Sequence, residues 1–318
     1  KLKTQVQKLF GGIDVEVVNN ADWLGKLGLI EFLRDVGKYF TVNNLVKKDA
    51  ISTRMESEEG ISFTEFSYSL LQAYDFWHLY TEYKCDVQIG GSDQWGNIVA
   101  GVDLIRRKEN KTVYALTIPI ITDKATGKKF GKSEGNAVWL DPGMTSPYAF
   151  YQFWLNTSDD SVADYLKLFT LLSDMEIGAA MELHRRDAKE RHAQHILARE
   201  LTILVHGADE SAKAELVTRV LFGEESLSAL DNDAIATLRT AAPLHEVKAD
   251  SLLLDALVGA RLASSKTEAR RFIKEKAVLL NDKTMKDIER KFASSDFYNG
   301  IALLKRGKRN ICVLTLPS

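Results

Sequence analysis

Three groups of residues in this chain have the types and spacing to do chemistry. The octet Thr126-Gly127-Lys128-Lys129-Phe130-Gly131-Lys132-Ser133 nearly spells the mononucleotide loop G-x-x-x-x-G-K-[ST]. Only three residues separate Gly127 from Gly131, however, one too few. Lys128, Lys129 and Lys132 place mobile ammonium groups beside two flexible glycines. Such a loop suits transient clamping of a pyrophosphate leaving group, whose charge grows in the transition state. A charged surface loop accounts for the octet as well. Glu134, Gly135 and Asn136 stand where a P-loop would open directly into a helix, and Val138-Trp139-Leu140 reads as extended.

The second group is Tyr68, Gln72 and Asp75, which lie at i, i+4 and i+7 and so share one helix face. Their segment is apolar nearly all round, the pattern of a buried helix. A buried amide and carboxylate need partners, because desolvating them unpaired costs on the order of several kcal/mol. A small polar ligand with an amine and a hydroxyl would supply partners, and so would an internal hydrogen-bond network. The third group is the run VQIGGSDQWGN at 87–97. A strand there passes through Gly90-Gly91 into a helix, at the carboxyl end where parallel sheets bind ligands. Asp93 can accept from ribose hydroxyls and Gln94 can donate to a carboxylate or phosphate; a plain capped turn with Asp93 as N-cap is the alternative. His192 and His195 form an H-x-x-H with no acidic or cysteine partner at ligand spacing, so no metal centre is expected. No Ser-His-Asp set stands out, and neither cysteine sits in a nucleophile context.

The elements that must position these groups follow from periodicity. Residues 21–47 are amphipathic, with Leu29, Ile30, Leu33 and Val36 at helical spacing. A long helix is expected over 63–83, with Ser62 or Thr64 to cap it and Glu65 in its first turn. A strand at 85–89, a helix at 94–107 and a second strand at 114–122 make an α/β unit with a parallel sheet. Helical periodicity dominates 148–230, with one helix expected at 184–205 and Gly207 as its stop. Residues 231–249 read as a connection. The last segment alternates: helix 267–276, strand 278–280, an Asn281-Asp282 turn and a final strand at 311–316.

A chain of 318 residues has room for two or three domains, and 45% hydrophobic with 27% charged residues is ordinary for a globular protein. No apolar run reaches the length of a membrane span, and the first residues, KLKTQVQKLF, are not a secretion signal. Cys85 and Cys312 are far apart, so no disulfide framework is expected and a reducing cytoplasm is the natural setting. The formal net charge of −2 hides an asymmetry. Between Arg261 and Arg309 stand 14 Lys/Arg against 6 Asp/Glu, a local +8 that leaves −10 on the rest. A basic terminal module on an acidic body suits a polyanionic partner such as nucleic acid, although a solvated charged surface fits the count equally.

Taken together, FTEFSYSLLQAYDF (63–76), VQIGGSDQWGN (87–97), KFGKS (129–133) and SPYAFYQFW (146–154) closely resemble the bacterial tyrosyl-tRNA synthetases, and the order and spacing of the blocks match as well. The octet then resembles that family's form of the class I lysine loop K-M-S-K-S. The resemblance implies an α/β, Rossmann-like parallel-sheet catalytic domain (its C-terminal part, 1–146), a helical anticodon-binding domain (147–232) and a small basic α+β RNA-binding domain (250–318). It implies a tyrosine–tRNA ligase that takes tyrosine, ATP with Mg2+, and tRNA(Tyr), and that works as a homodimer in the cytoplasm, away from membranes. Tyr68 and Gln72 match residues that hold the amino group of tyrosine, and Asp75 matches the acceptor for its phenol. Gln88 and Gln94 match further pocket members, and Gly91 and Asp93 match ribose contacts of the adenylate. Lys129 and Lys132, with Ser133 beside them, match the residues that stabilise pyrophosphate while the carboxylate attacks the α-phosphate.

Two departures accompany the match. In the terminal module Lys276-Ala277 and Asn281-Asp282 replace the glycines and the Asn-Gly turn of the family pattern. The second ATP signature, H-I-G-H or H-V-G-H, occurs nowhere in these residues, so a synthetase that begins partway through its catalytic domain, with activation impaired, is expected. A non-catalytic RNA-binding descendant is the competing reading, and retention of Lys129, Lys132 and the pocket residues favours the catalyst.

Overall fold

The computed structural model describes residues 2–11, 13–46, 52, 55, 60–122, 124, 138–307 and 310–317. They form two compact units, Ile13–Ser133 and a second made of Lys1–Gly12 with Glu134–Ser318. The first helix, α1 (Leu2–Leu9), belongs to the second unit.

In the Ile13–Ser133 unit the amphipathic 21–47 region is three short helices, α2 (Ala21–Leu24), α3 (Leu29–Asp35) and α4 (Val42–Leu45), joined by a 3-10 turn at Gly37–Tyr39. Phe32, Val36 and Leu45 turn inward, and Leu29, Ile30 and Leu33 stay exposed. Helix α5 spans Phe63–Tyr83. Ser62 and Glu65 form a reciprocal cap: the Glu65 amide donates to Ser62 Oγ (3.2 Å) and the Ser62 amide to Glu65 Oε2 (3.1 Å). Lys84 ends it in the left-handed region at φ 60°. Its buried residues are Ser69, Leu70, Ala73 and Phe76, whereas Phe63 and Tyr68 are 78% and 59% exposed. The all-round apolar pattern therefore overstates its burial.

Strand β1 (Val87–Gly91) pairs in parallel with β2 (Tyr114–Ile118), Val87 opposite Tyr114 and Gly91 opposite Ile118. Between them runs α6 (Trp95–Glu109). This is the expected α/β unit, with β1 displaced by two residues from the expected 85–89 and β2 ending four residues before the expected 122. Gly101 is where α6 meets α5. A Cβ there would lie 2.8 Å from Phe76 Cδ1 and 2.9 Å from Phe76 Cβ, so only glycine permits the approach. Phe76, Ile105 and Val113 bury one apolar cluster at this crossing, and Leu70, Ala73, Ala100 and Leu104 join Phe32 and Val36 in the neighbouring one.

The second unit is helical over α7 (Pro147–Leu155), α8 (Asp159–Phe169), α9 (Asp174–Arg186), α10 (His192–His206) and α11 (Ala208–Phe222). The single helix expected at 184–205 is interrupted. Asp187 is extended and Arg191 sits at φ 52°, and its guanidinium donates to the carbonyls of Leu155 and Thr157 at 2.9 and 2.8 Å. Those carbonyls lie at and just beyond the end of α7, where the helix leaves acceptors open, and filling them holds the break. Gly207, at φ 97°, separates α10 from α11 as expected.

Next come α12 (Asn232–Ala241) and β3 (Leu244–Glu246) in the region read as a connection. The remaining elements are α13 (Leu253–Gly259), α14 (Lys266–Lys274), β4 (Val278–Leu280), β5 (Lys283–Thr284), β6 (Ile301–Arg306) and β7 (Asn310–Thr315). The sheet order is β3-β7-β6-β4-β5, with β3 parallel to β7 and the other pairs antiparallel. Strand β6 escaped the sequence reading because Ile301–Lys305 is a continuous buried run with no alternation. Leu253, Leu257, Ala269, Ile273 and Leu304 centre the core beneath it.

Two stability predictions follow from this packing. Gly101→Ala should lower unfolding free energy by roughly 1–3 kcal/mol through overpacking against Phe76, read as a lower urea midpoint at unchanged slope. Burial pulls His195 and His206 below their ordinary 6.5. The unfolded chain therefore takes up protons first, and stability present above 6.5 is lost as pH falls through the lower folded values. The melting temperature should hold near neutrality and drop toward about pH 5, with a shallower drop in His195→Gln. A melting temperature that rises on acidification would refute it.

Candidate active site

Helix α5 presents Tyr68, Gln72 and Asp75 along one face, and the short helix α2 meets Asp75 from outside. Asn19 Oδ1 accepts from the Ala21 amide at 3.1 Å, which leaves the Asn20 side chain free of capping duty. Asn20 Nδ2 instead donates to Asp75 Oδ2 at 2.9 Å, and the Trp23 indole Nε1 donates to Asp75 Oδ1 at 2.7 Å. Each carboxylate oxygen thus has one N–H donor and a second lone pair left over. Trp23 is itself held by stacking on His78, ring centroids 4.4 Å apart and 23° between planes. The Tyr74 ring also lies near His78, centroids 6.3 Å apart, and burial, then Glu31 and Asp75, push its phenol above the ordinary 10.

Asn20 and Trp23 were not singled out from the sequence. The signal was slight: two adjacent asparagines before a four-residue helix, where one suffices as a cap.

The turn after β1 supplies the other predicted residues. Ser92–Gln94 is a 3-10 turn, and Gln94 rather than Asp93 is the N-cap of α6, with no side-chain cap bond. A Cβ on Gly91 would stand 2.9 Å from Asp93 Oδ1, so the glycine lets this carboxylate lie against the strand end. Gln94 Oε1 accepts from Asn97 Nδ2 at 3.3 Å, which occupies the glutamine carbonyl and leaves its amide hydrogens to donate. Gln88 Oε1 is buried and has no hydrogen-bond partner among the described residues. An orphaned buried acceptor is costly and points to a donor on a ligand.

Lys129, Lys132 and Ser133 lie outside the described residues, as does the rest of their loop apart from Lys124 and the chain from Val138 onward. Among the described residues no group of three or more His, Cys, Asp or Glu could hold a metal ion. No helix among them is long and apolar enough to cross a membrane.

Comparison with known proteins gives the family. The family of class I tRNA synthetases for tryptophan and tyrosine matches residues 2–223, and the tyrosine–tRNA ligase SYY-like C-terminal domain matches residues 234–314. A tyrosine–tRNA ligase from Anaeromyxobacter dehalogenans is 50% identical over 303 residues, 94% of this chain and 71% of the relative. One from Escherichia coli is 46% identical over 93% of this chain and 70% of its own length. The chain belongs to the tyrosyl-tRNA synthetase family. The second domain match and these relatives decide between tyrosine and tryptophan members. Among solved structures, a C-terminally truncated mitochondrial tyrosyl-tRNA synthetase from Aspergillus nidulans aligns with a TM-score of 0.56 at 34% identity, over 69% of this chain and 66% of that one. The corresponding enzyme from Coccidioides posadasii aligns with a TM-score of 0.56 at 32% identity, over 66% of this chain and 64% of that one. The chain therefore spans just under two thirds of these two solved relatives.

Proposed function

We propose that this chain acts as a tyrosine–tRNA ligase, joining tyrosine to ATP as tyrosyl-adenylate and passing the tyrosyl group to tRNA(Tyr). The observation that carries the reading is Asp75, fixed by Trp23 and Asn20 with lone pairs to spare on a helix face shared with Tyr68 and Gln72. A phenol donating to that carboxylate completes it. Phenylalanine would desolvate the same group and offer nothing in return.

Tyr68 and Gln72 hold the substrate ammonium, and the orphaned Gln88 Oε1 is suited to accept from it. Gln94 turns its donors toward the substrate carboxylate, and Gly91 with Asp93 receives the ribose. Lys129 and Lys132, beside Ser133, clamp the pyrophosphate as it leaves, and Mg2+ accompanies ATP. The step asks for no protein nucleophile or general base, so positioning and charge stabilisation carry it.

The catalytic domain is assigned to 1–146, the anticodon-binding domain to 147–232 and the basic RNA-binding domain to 250–318. A homodimer in the cytoplasm completes the reading. Exposed Leu29, Ile30 and Leu33 on α3 and Phe63 at the start of α5 support the pairing.

Binding of tyrosine and phenylalanine, measured by calorimetry, tests the core of this reading. Asp75→Asn and Trp23→Phe should each cut the preference for tyrosine by about 10–100-fold, the worth of a hydrogen bond to a charged group. Equal binding of both amino acids by the unaltered chain would remove the assignment. Replacing Lys132 by alanine should slow tyrosine-dependent ATP–pyrophosphate exchange while leaving tRNA affinity nearly intact; equal loss of both would make the loop an RNA contact instead.

A further inference from the structure

Lys305 sits in the middle of the C-terminal sheet on β6 and is 4% exposed, although it is a lysine. A cation buried this deeply needs a partner. It has two. Nζ lies 2.6 Å from Asp282 Oδ1, and 3.4 Å from the carbonyl oxygen of Val220. Val220 belongs to the last turn of α11, where its carbonyl also accepts from the Gly223 amide at 3.3 Å and the helix dipole favours a cation. Gly223, at φ 83°, closes that helix, and a Cβ on it would stand 3.0 Å from Asp282 Oδ1. The helix end, the β4–β5 turn and β6 therefore meet at one ion pair.

Asp282 occupies the second place of a tight turn. Leu280 pairs with Lys283, so Asn281 and Asp282 form a two-residue hairpin loop. Both have positive φ, 49° and 63°, the mirror-image turn in which glycine is favoured at the second place. Asn281 accounts for itself: its Oδ1 accepts from the Leu303 amide at 2.8 Å and its Nδ2 donates to the Asp296 carbonyl at 2.6 Å. Among the described residues the Asp282 side chain makes no hydrogen bond within its own turn. Its one described side-chain partner is Lys305, 23 positions away in the chain.

We infer that Asp282 and Lys305 are positioning residues that latch the basic C-terminal module onto the end of α11, so that the two modules meet tRNA as one preset surface. The tRNA part of this inference rests on the proposed function; the latch itself rests on the ion pair, the burial and the turn.

The test uses the whole 318-residue chain. Asp282→Gly removes the carboxylate and relieves the turn. Asp282→Asn also removes the charge but keeps a residue that tolerates the left-handed region. Lys305→Met removes the cation and keeps the volume. Hydrogen exchange at the Gly223 and Glu224 amides, the radius of gyration in solution and affinity for a tRNA(Tyr) transcript are measured together. All three variants should remain folded and should raise exchange at the end of α11 at least tenfold. They should also broaden the particle and weaken tRNA binding. The Asp282→Gly/Lys305→Met double variant should be no worse than Lys305→Met alone, because the two residues act as one pair. If Asp282→Asn matches the unaltered chain in exchange and size, the residue serves only its turn and the latch is overturned. If exchange and size change while the unaltered chain itself does not bind tRNA(Tyr), the latch stands and the tRNA reading falls.

Discussion

The contact between Phe76 and Gly101 is the constraint on which the first unit depends. Phe76 is fully buried and follows Asp75 in sequence, and Gly101 lies two turns into the helix launched by the β1 turn. One helix carries the residues assigned to the amino acid, and the other starts from those assigned to the nucleotide. A side chain on Gly101 would push the helices apart. Shifts of about 1 Å at such a place matter for a reaction that depends on holding two substrates in line. The apolar packing and the polar site are thus one arrangement, fixed at a position with no polar atom in its side chains.

On the proposed function, Asp75 is a specificity group that is braced before its ligand arrives. A loose carboxylate would reorient toward water and lose the penalty that the proposed role asks it to impose on phenylalanine. The Trp23 and Asn20 donors hold both oxygens, and the His78 ring limits how far the indole can swing. Rigidity comes from neutral donors, which keep the site from being satisfied outright by a cation. An arginine in the place of Trp23 would have formed a stronger pair and left less for a phenol to gain.

How much of this was legible in the sequence depended on how local the cause was. Helix α5 could be read to its ends because Ser62 and Glu65 cap it within four residues and its apolar pattern is long. Tyr68, Gln72 and Asp75 could be placed on one face for the same reason. The partners of Asp75 could not be read, since Asn20 and Trp23 lie 55 and 52 positions away and carry no periodic signal. The break between α9 and α10 was hidden likewise: Arg191 leaves the helix to reach carbonyls near the end of α7, 34 and 36 positions upstream. Strand β3 reads as a connection in the sequence because three residues are too few for a pattern, and its place is set by β7 across the sheet.

The charge count of the terminal module also changes meaning once its partners are known. Lys266 pairs with Asp255, Arg271 with Glu268, Arg290 with Asp296, and Lys305 with Asp282. Arg290 and Lys305 are the least exposed of these and serve the fold, one bracing a turn and the other crossing to a neighbouring helix. Arg271 and Arg306 flank the Phe272 ring at 5.2 and 5.0 Å, so they are spread over an aromatic face rather than free to wander. A sum over 261–309 therefore overstates the charge available to a polyanion and understates its order. What faces outward is a smaller set of cations on a framework whose own ion pairs set their spacing. Counterion release scales with the phosphates neutralised, not with the lysines and arginines present. The asymmetry that made nucleic acid a candidate partner was partly the charge that builds the module, and the remainder is the part that can meet RNA.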